Sequence, residues 1–230
     1  MQSQLVQPTI ETLKKTIDAN SSLKESPNVY PVYKYVPYND ITIHQAYLKL
    51  ANLNDSNRTE SFLFESSVKG DTQFADEFCN VDPITVLEKE LSKYKQAPLP
   101  GLPKFNGGAT GYISYDCIKY FEPKTKRPMK DVLGLPEAVL MFCDLVVAFD
   151  HVYQRFQIIY NIKIDDNRDK INEDIESLYK QATENIEKVE KVLLRNTSSE
   201  EIAPKQGPIK LGQNFISNIG QEGYEKHVTI

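Results

Sequence analysis

The sequence predicts an α+β fold, with mixed or antiparallel sheets and helices packed outside them. Three observations carry this. Short runs rich in β-branched and aromatic residues alternate irregularly with stretches whose apolar residues recur at helical spacing. Two strand-like runs follow one another directly across Asp150 to Gln154, which reads as a hairpin at the centre of a sheet. A regular strand-helix alternation is missing, as is a glycine fingerprint after the first strand, and both argue against a doubly wound α/β sheet.

The elements follow in chain order. Thr9 can cap a helix whose Ile10, Leu13 and Ile17 share a face, and Asn20, Ser21 and Ser22 supply its stop. Val29 to Val36, VYPVYKYV, has strand composition, and its Pro31 confines it to an edge or a strand start. Asp40 or Thr42 opens a short helix through Leu50. After the polar stretch Asn52 to Glu60, SFLFESS alternates as a strand running into Gly70, read as a turn residue. Asp82-Pro83 pairs an N-cap with proline at the first helical position and starts a helix carrying Ile84, Leu87, Leu91 and Tyr94.

Ala97 to Gly108 is too rich in proline and glycine for regular structure. Gly107 to Glu122 predicts a short strand ending near Ser114, then a helical turn carrying Ile118 and Phe121. Ala138 to Ile164 is the hairpin. Asp165 or Asp166 introduces a long helix in which Ile171, Ile175, Leu178, Ala182, Ile186, Val189 and Leu193 form one stripe, with Glu184/Lys188 and Glu187/Lys191 as ion pairs on the solvated face. Asn196 to Gly212 reads as a linker, and Gln221 to Ile230 begins an amphipathic helix with Tyr224 and Val228 four apart. That helix has no closing cap, so the expectation is of a longer protein continuing past Ile230.

Composition narrows the function classes. With 230 residues, 40% apolar and 26% charged, the chain has ordinary globular composition and no apolar run of membrane-spanning length. A net charge of −5 without a basic cluster argues against nucleic acid. The first residues show neither secretory nor transit-peptide character, so a cytoplasmic location is expected. Cys79, Cys117 and Cys143 are odd in number and widely spaced, which reads as reduced, buried thiols.

Most chemistry-bearing residues have a plain structural reading. The glycines of Gly107 to Gly111 lack the lysine-serine or lysine-threonine pair of a phosphate loop, and close backbone packing explains them better. Ser114, Asp116 and His151 have the residue types of a hydrolytic triad, but the G-x-S-x-G elbow is absent. His44, His151 and His227 have no metal-ligand partner at helical spacing, and Asp165-Asp166 stands where an N-cap is needed. No catalytic or metal-ligating residue is assigned.

SFLFESSVKG, Ser61 to Gly70, is different. Glu65 offers an ammonium partner, Ser66 and Ser67 offer hydroxyls to a carboxylate, and Phe62, Leu63 and Phe64 offer an apolar wall. These are the groups an aromatic amino acid requires, although an ordinary strand end contains the same types.

The segments PVYKYVPYNDITIHQAYLKL, SFLFESS, DPITVLEKELSKYK, PLPGLPKFNGGATGYISYDCIKYFEP and LPEAVLMFCDLVVAFDH resemble, in order and spacing, anthranilate synthase component I of the fungal type. FNGGATGYISYD carries the resemblance to chorismate-utilising enzymes, and F-L-F-E-S to their anthranilate synthase branch. The resemblance implies the N-terminal region of that fold, with a tryptophan-binding domain over residues 1–195, a linker over 196–212 and the start of a chorismate-binding domain over 213–230. It implies that Leu63, Phe64, Glu65 and Ser66 bind inhibitory tryptophan. Because successive strand side chains face opposite ways, Ser66 would use its hydroxyl and Glu65 mainly its backbone, unless a bulge turns both inward. It further implies chorismate as substrate, a glutamine amidotransferase component II as partner, and magnesium in the intact enzyme with its ligands downstream. The catalytic histidine and the second wall of the tryptophan site would also lie downstream, so this chain alone is expected to be inactive. Aminodeoxychorismate synthase component I and a stand-alone regulatory module are the alternatives, and the downstream sequence separates them.

Overall fold

The computed structural model describes residues 5–21, 25–37, 41–51, 70–73, 81–127, 134–164, 171–195, 207–208 and 216–229. Helix α1 (Ile10–Asn20) starts at Thr9, whose hydroxyl accepts from the Thr12 amide at 3.4 Å. Strand β1 (Val29–Pro37) follows, then helix α2 (Ile43–Ala51). Of the two expected caps for α2, Thr42 acts: its hydroxyl accepts from the Gln45 amide while Gln45 Oε1 accepts from the Thr42 amide, a reciprocal capping box. Strand β2 (Gly70–Gln73) begins at Gly70, which is therefore the first residue of a strand and not a turn. Helix α3 (Pro83–Leu91) is capped by Asp82, as its Asp-Pro start predicts, although none of its side chains is fully buried.

Strand β3 (Gly108–Ile113) leads into a 3-10 helix (Tyr115–Tyr120), and β4 (Ala138–Asp150) turns into β5 (Arg155–Lys163). In that turn Asp150 Oδ1 accepts from the amides of Val152 and Tyr153 at 2.9 and 3.1 Å, the local bond that makes aspartate a turn former. Helices α4 (Ile171–Leu194) and α5 (Gly220–Val228) complete the described elements.

The strands form one antiparallel sheet of five, ordered β1-β5-β4-β2, with β3 also paired to β4. The α+β expectation holds, and so does the edge position of the proline-containing β1. One face carries Tyr30, Val32 and Val36 of β1, Leu145 and Val147 of β4, and Phe156, Ile158 and Ile162 of β5. Against it pack Leu13 and Ile17 of α1, Ala46 of α2, and Ile175, Ala182, Ile186 and Leu193 of α4. The helical stripe read from the sequence is thus the core-facing stripe. Each isoleucine so buried stabilises the fold by roughly 1.5–3 kcal/mol relative to exposure.

Lys34 sits on this same face and is buried, with its ammonium 2.5 Å from Glu190 Oε2 of α4. A second α4 carboxylate, Glu176, meets Lys14 of α1 at 2.6 Å. Among the described residues the expected pairs Glu184/Lys188 and Glu187/Lys191 are not closed. On an exposed face, holding two long side chains together gains little over leaving each in water. At the far end of α4, Lys49 donates to the carbonyls of Leu193 and Arg195, closing the helix C-terminus.

Candidate functional site

The sequence places the candidate ligand residues Leu63, Phe64, Glu65 and Ser66 just ahead of β2, and all four lie outside the described residues. What the structure describes is the frame that β2 joins. Gly70 pairs with Val146 and Thr72 with Cys143, so β4 advances one residue further than β2 and bulges beside Asp144. Val146 also pairs with Ile159 of β5, and Cys143 with Gly108 of β3. A strand has only two edges. It follows that β2 takes one edge of β4, whereas β5 and β3 share the other end to end.

The bulge reverses the alternation of β4, bringing Cys143 and Val146 to the same side. There they meet Ile159 and the half-buried Tyr33, Leu102 and Phe105. Leu102 and Phe105 belong to the proline-rich connection, which therefore lies over the second face of the sheet as a cover, without regular structure as expected. Its Gly101 has φ +86° and offers its carbonyl to Gln157 Nε2 at 3.2 Å.

Asp144 falls between the registers of β5 and β3, and the buried Asn161 stands at this junction. Its Nδ2 donates to Asn106 O at 2.7 Å and to Asp144 O at 3.4 Å, while its Oδ1 accepts from Gln96 Nε2 at 2.8 Å. A buried amide must satisfy both its donors and its acceptor, and here it does so by tying β4, β5 and the connection together. Nothing in the local sequence marks Asn161 for this role, because every partner is distant in the chain.

Past the junction, Gly111 lets β3 approach β4: a Cβ there would collide with the Val139 carbonyl. Close packing explains Gly107 and Gly111 of this run, whereas Gly108 stands in open space with φ +107°. The following 3-10 helix is tied to β4 through Glu137, whose carboxylate accepts from Lys119 Nζ and, at 3.0 Å, from Tyr120 Oη. The bond from Lys119 and then that from Tyr120 hold the Glu137 carboxyl below the ordinary glutamate range. Burial, reinforced by Glu137, pushes the Tyr120 phenol up. These groups neutralise and position one another, and no nucleophile with an adjacent base is among them.

Several of the other sequence-marked residues make structural contacts. Cys117 and Cys143 are buried and outside any disulfide, and Cys79 lies outside the described residues. Ser114 Oγ meets Cys117 Sγ at 3.7 Å, His151 contacts the Phe149 ring edge-on, and His227 Nδ1 lies 2.7 Å from Gly223 O. Asp165 and Asp166 lie outside the described residues. Among the described residues no three His, Cys, Asp or Glu side chains converge as metal ligands, and no helix is long and apolar enough to cross a membrane.

No family model matches the chain. Individual relatives do. Anthranilate synthase component 1 of Saccharomyces cerevisiae is 47% identical over 241 residues, covering 97% of this chain and 46% of that protein. The probable anthranilate synthase component 1 of Schizosaccharomyces pombe is 39% identical, covering 90% of this chain and 42% of that protein. Anthranilate synthase component 1 of Acetivibrio thermocellus is 37% identical over 64% of this chain and 28% of that protein. Along nearly its whole length, then, this chain is homologous to anthranilate synthase component 1 of the fungal type, and it spans a little under half the length of the relatives it matches.

Proposed function

We propose that this chain is the N-terminal, regulatory part of an anthranilate synthase component I, with domain boundaries at residues 1–195, 196–212 and 213–230. The intact protein would convert chorismate and ammonia, supplied from glutamine by an amidotransferase component II, to anthranilate and pyruvate in the cytoplasm. The observation that supports this reading is the 47% identity sustained over 97% of the chain.

On this reading Leu63, Phe64, Glu65 and Ser66 contribute one wall of a site for feedback-inhibitory tryptophan. Ser66 would donate its hydroxyl to the ligand carboxylate, and Leu63 and Phe64 would line the indole. One wall leaves much of the indole in water and one charged end of the ligand unmet, so this chain alone would bind tryptophan weakly. Magnesium and the catalytic groups would be held by the remainder of the longer protein.

The experiment is an assay of the longer protein for anthranilate fluorescence from chorismate and ammonia, with and without tryptophan, beside residues 1–230 alone. Turnover by the longer protein, inhibited by tryptophan and relieved of inhibition by Ser66→Ala, is expected, with none from residues 1–230. A product that requires a separate lyase to release its aromatic amine would assign the chain to aminodeoxychorismate synthase instead. A Ser66→Ala enzyme as sensitive to tryptophan as its parent would sink the site assignment.

A further inference from the structure

The sequence contains one Asn-Gly pair, Asn106-Gly107, and it lies at the junction where β3 takes over from β5 along β4. Asn161 requires glycine at position 107, because a Cβ there would lie 2.6 Å from its Nδ2 and 3.3 Å from its Cγ. The packing that demands this glycine removes a protection from Asn106. A side chain on the following residue crowds that residue's backbone nitrogen, whereas glycine leaves the nitrogen open to approach the asparagine side-chain carbonyl. Both ends of Asn106 are nevertheless held. Its Nδ2 donates to Pro103 O at 2.9 Å, and its main-chain oxygen accepts from Asn161 Nδ2 at 2.7 Å.

An Asn-Gly pair that is free to move undergoes a known ring closure. The Gly107 amide gives up its proton to water, and its nitrogen attacks Asn106 Cγ. The N–Cγ bond forms, the Cγ–Nδ2 bond breaks, and Nδ2 leaves as ammonia with a proton taken from water. A second water opens the cyclic imide at either carbonyl, giving aspartate or isoaspartate. Ring closure requires Asn106 to turn about its ψ and χ1 angles, and the bonds at its two ends resist those rotations. Either product also misfits the junction. An aspartate carboxylate at 106 would face the Pro103 carbonyl, acceptor against acceptor, and isoaspartate adds a main-chain atom ahead of Gly107, moving it from beneath Asn161.

We propose that Asn106 is a site of spontaneous deamidation that the native junction holds in check, so that a chain whose junction has opened is marked chemically and closes less well afterwards. The hold is local. It lies in the bond from Asn161 and the bond to Pro103, and not in the overall stability of the sheet. It is independent of the component I reading.

The test incubates the purified chain in warm, mildly alkaline buffer, with and without denaturing guanidinium chloride, and follows aspartate and isoaspartate at position 106 by peptide mass spectrometry. Conversion of the denatured chain is expected to be faster by about tenfold or more, since the folded chain must first give up two hydrogen bonds of ordinary net strength. Asn161→Ala is expected to speed conversion of the folded chain about fivefold, the weight of one such bond, and to leave the denatured rate unchanged. Lys34→Met, which weakens the fold from the helix-covered face, is expected to leave the folded rate as it is in the parent. The deamidated fraction, separated by its added negative charge, is expected to melt below the parent. Equal rates in folded and denatured chains, or no effect of Asn161→Ala, would overturn the proposal. So would an acceleration by Lys34→Met equal to that by Asn161→Ala, which would place the hold in global stability, or a deamidated fraction that melts with the parent.

Discussion

The side-chain amide of Asn161 occupies the space that a Cβ at Gly107 would need, its Nδ2 lying 2.6 Å from that position. The two residues form one fitting at the place where β4 exchanges β5 for β3. Gly107→Ala should push Asn161 from its bonds to Asn106 and Asp144. Asn161→Ala should leave two carbonyls and Gln96 short of a partner, destabilising the fold by about 1–3 kcal/mol. Urea unfolding of each variant and of the pair checks this, and the double variant should cost less than the sum of the two.

Gly111 faces a harder constraint, because backbone and not side chain stands in its way. Gly111→Ala should displace β3 from β4 at a cost of at least about 2 kcal/mol, as forced overpacking does. Hydrogen exchange would show it as faster exchange at Tyr112 and Ser114, whose amides face β4, with the β4–β5 ladder still protected.

The ion pair of Lys34 with Glu190 crosses from the sheet to α4 inside the apolar layer. Removing one partner strands the other charge, so Lys34→Met alone should cost about 3 kcal/mol, while Lys34→Met with Glu190→Leu should restore most of it. Thermal unfolding of the three variants would decide, and equal losses for the single and double changes would show that the pair is not energetically coupled.

The Asp150 carboxyl is held below the ordinary aspartate value of 3.8, first by the Tyr153 amide, then by that of Val152 and by Arg155. Ionised Asp150 therefore favours the folded turn. That contribution is fully present above pH 3.8 and disappears as the pH falls through the lowered folded value. The amide resonances of Val152 and Tyr153 should titrate with a midpoint below 3.8, and Asp150→Asn should abolish the transition.

Much of the fold was legible because its signals are local. Thr9, Asp82-Pro83 and the Ile175-to-Leu193 stripe each act within a turn or two of helix, and Asp150 shapes its own hairpin. Thr42 or Asp40 could have capped α2, and only the reciprocal bond with Gln45 decides between them. Gly70 looked like a turn because a glycine ending a polar run usually is one, whereas here it pairs with Val146, a partner far along the chain. The bulge at Asp144 and the roles of Asn161 and Gln96 were illegible for the same reason: each depends on residues that only the folded sheet brings together. The candidate ligand segment was legible by resemblance alone, since Leu63, Phe64, Glu65 and Ser66 lie outside the described residues.

The pairing of β1 with β5 matches Val29 to Lys163 and Pro37 to Arg155, with most of the chain between the partners. On the ribosome, β1 emerges long before the strand that will pair with it along its length, and its nascent edge must wait for the β4–β5 hairpin. Such long-range closure slows folding and leaves an apolar strand open to other chains in the meantime. Pro31 and Lys34 within β1 acquire a second role during that interval. A missing amide donor and a charge are what discourage an unpaired strand from annealing to a neighbouring nascent copy.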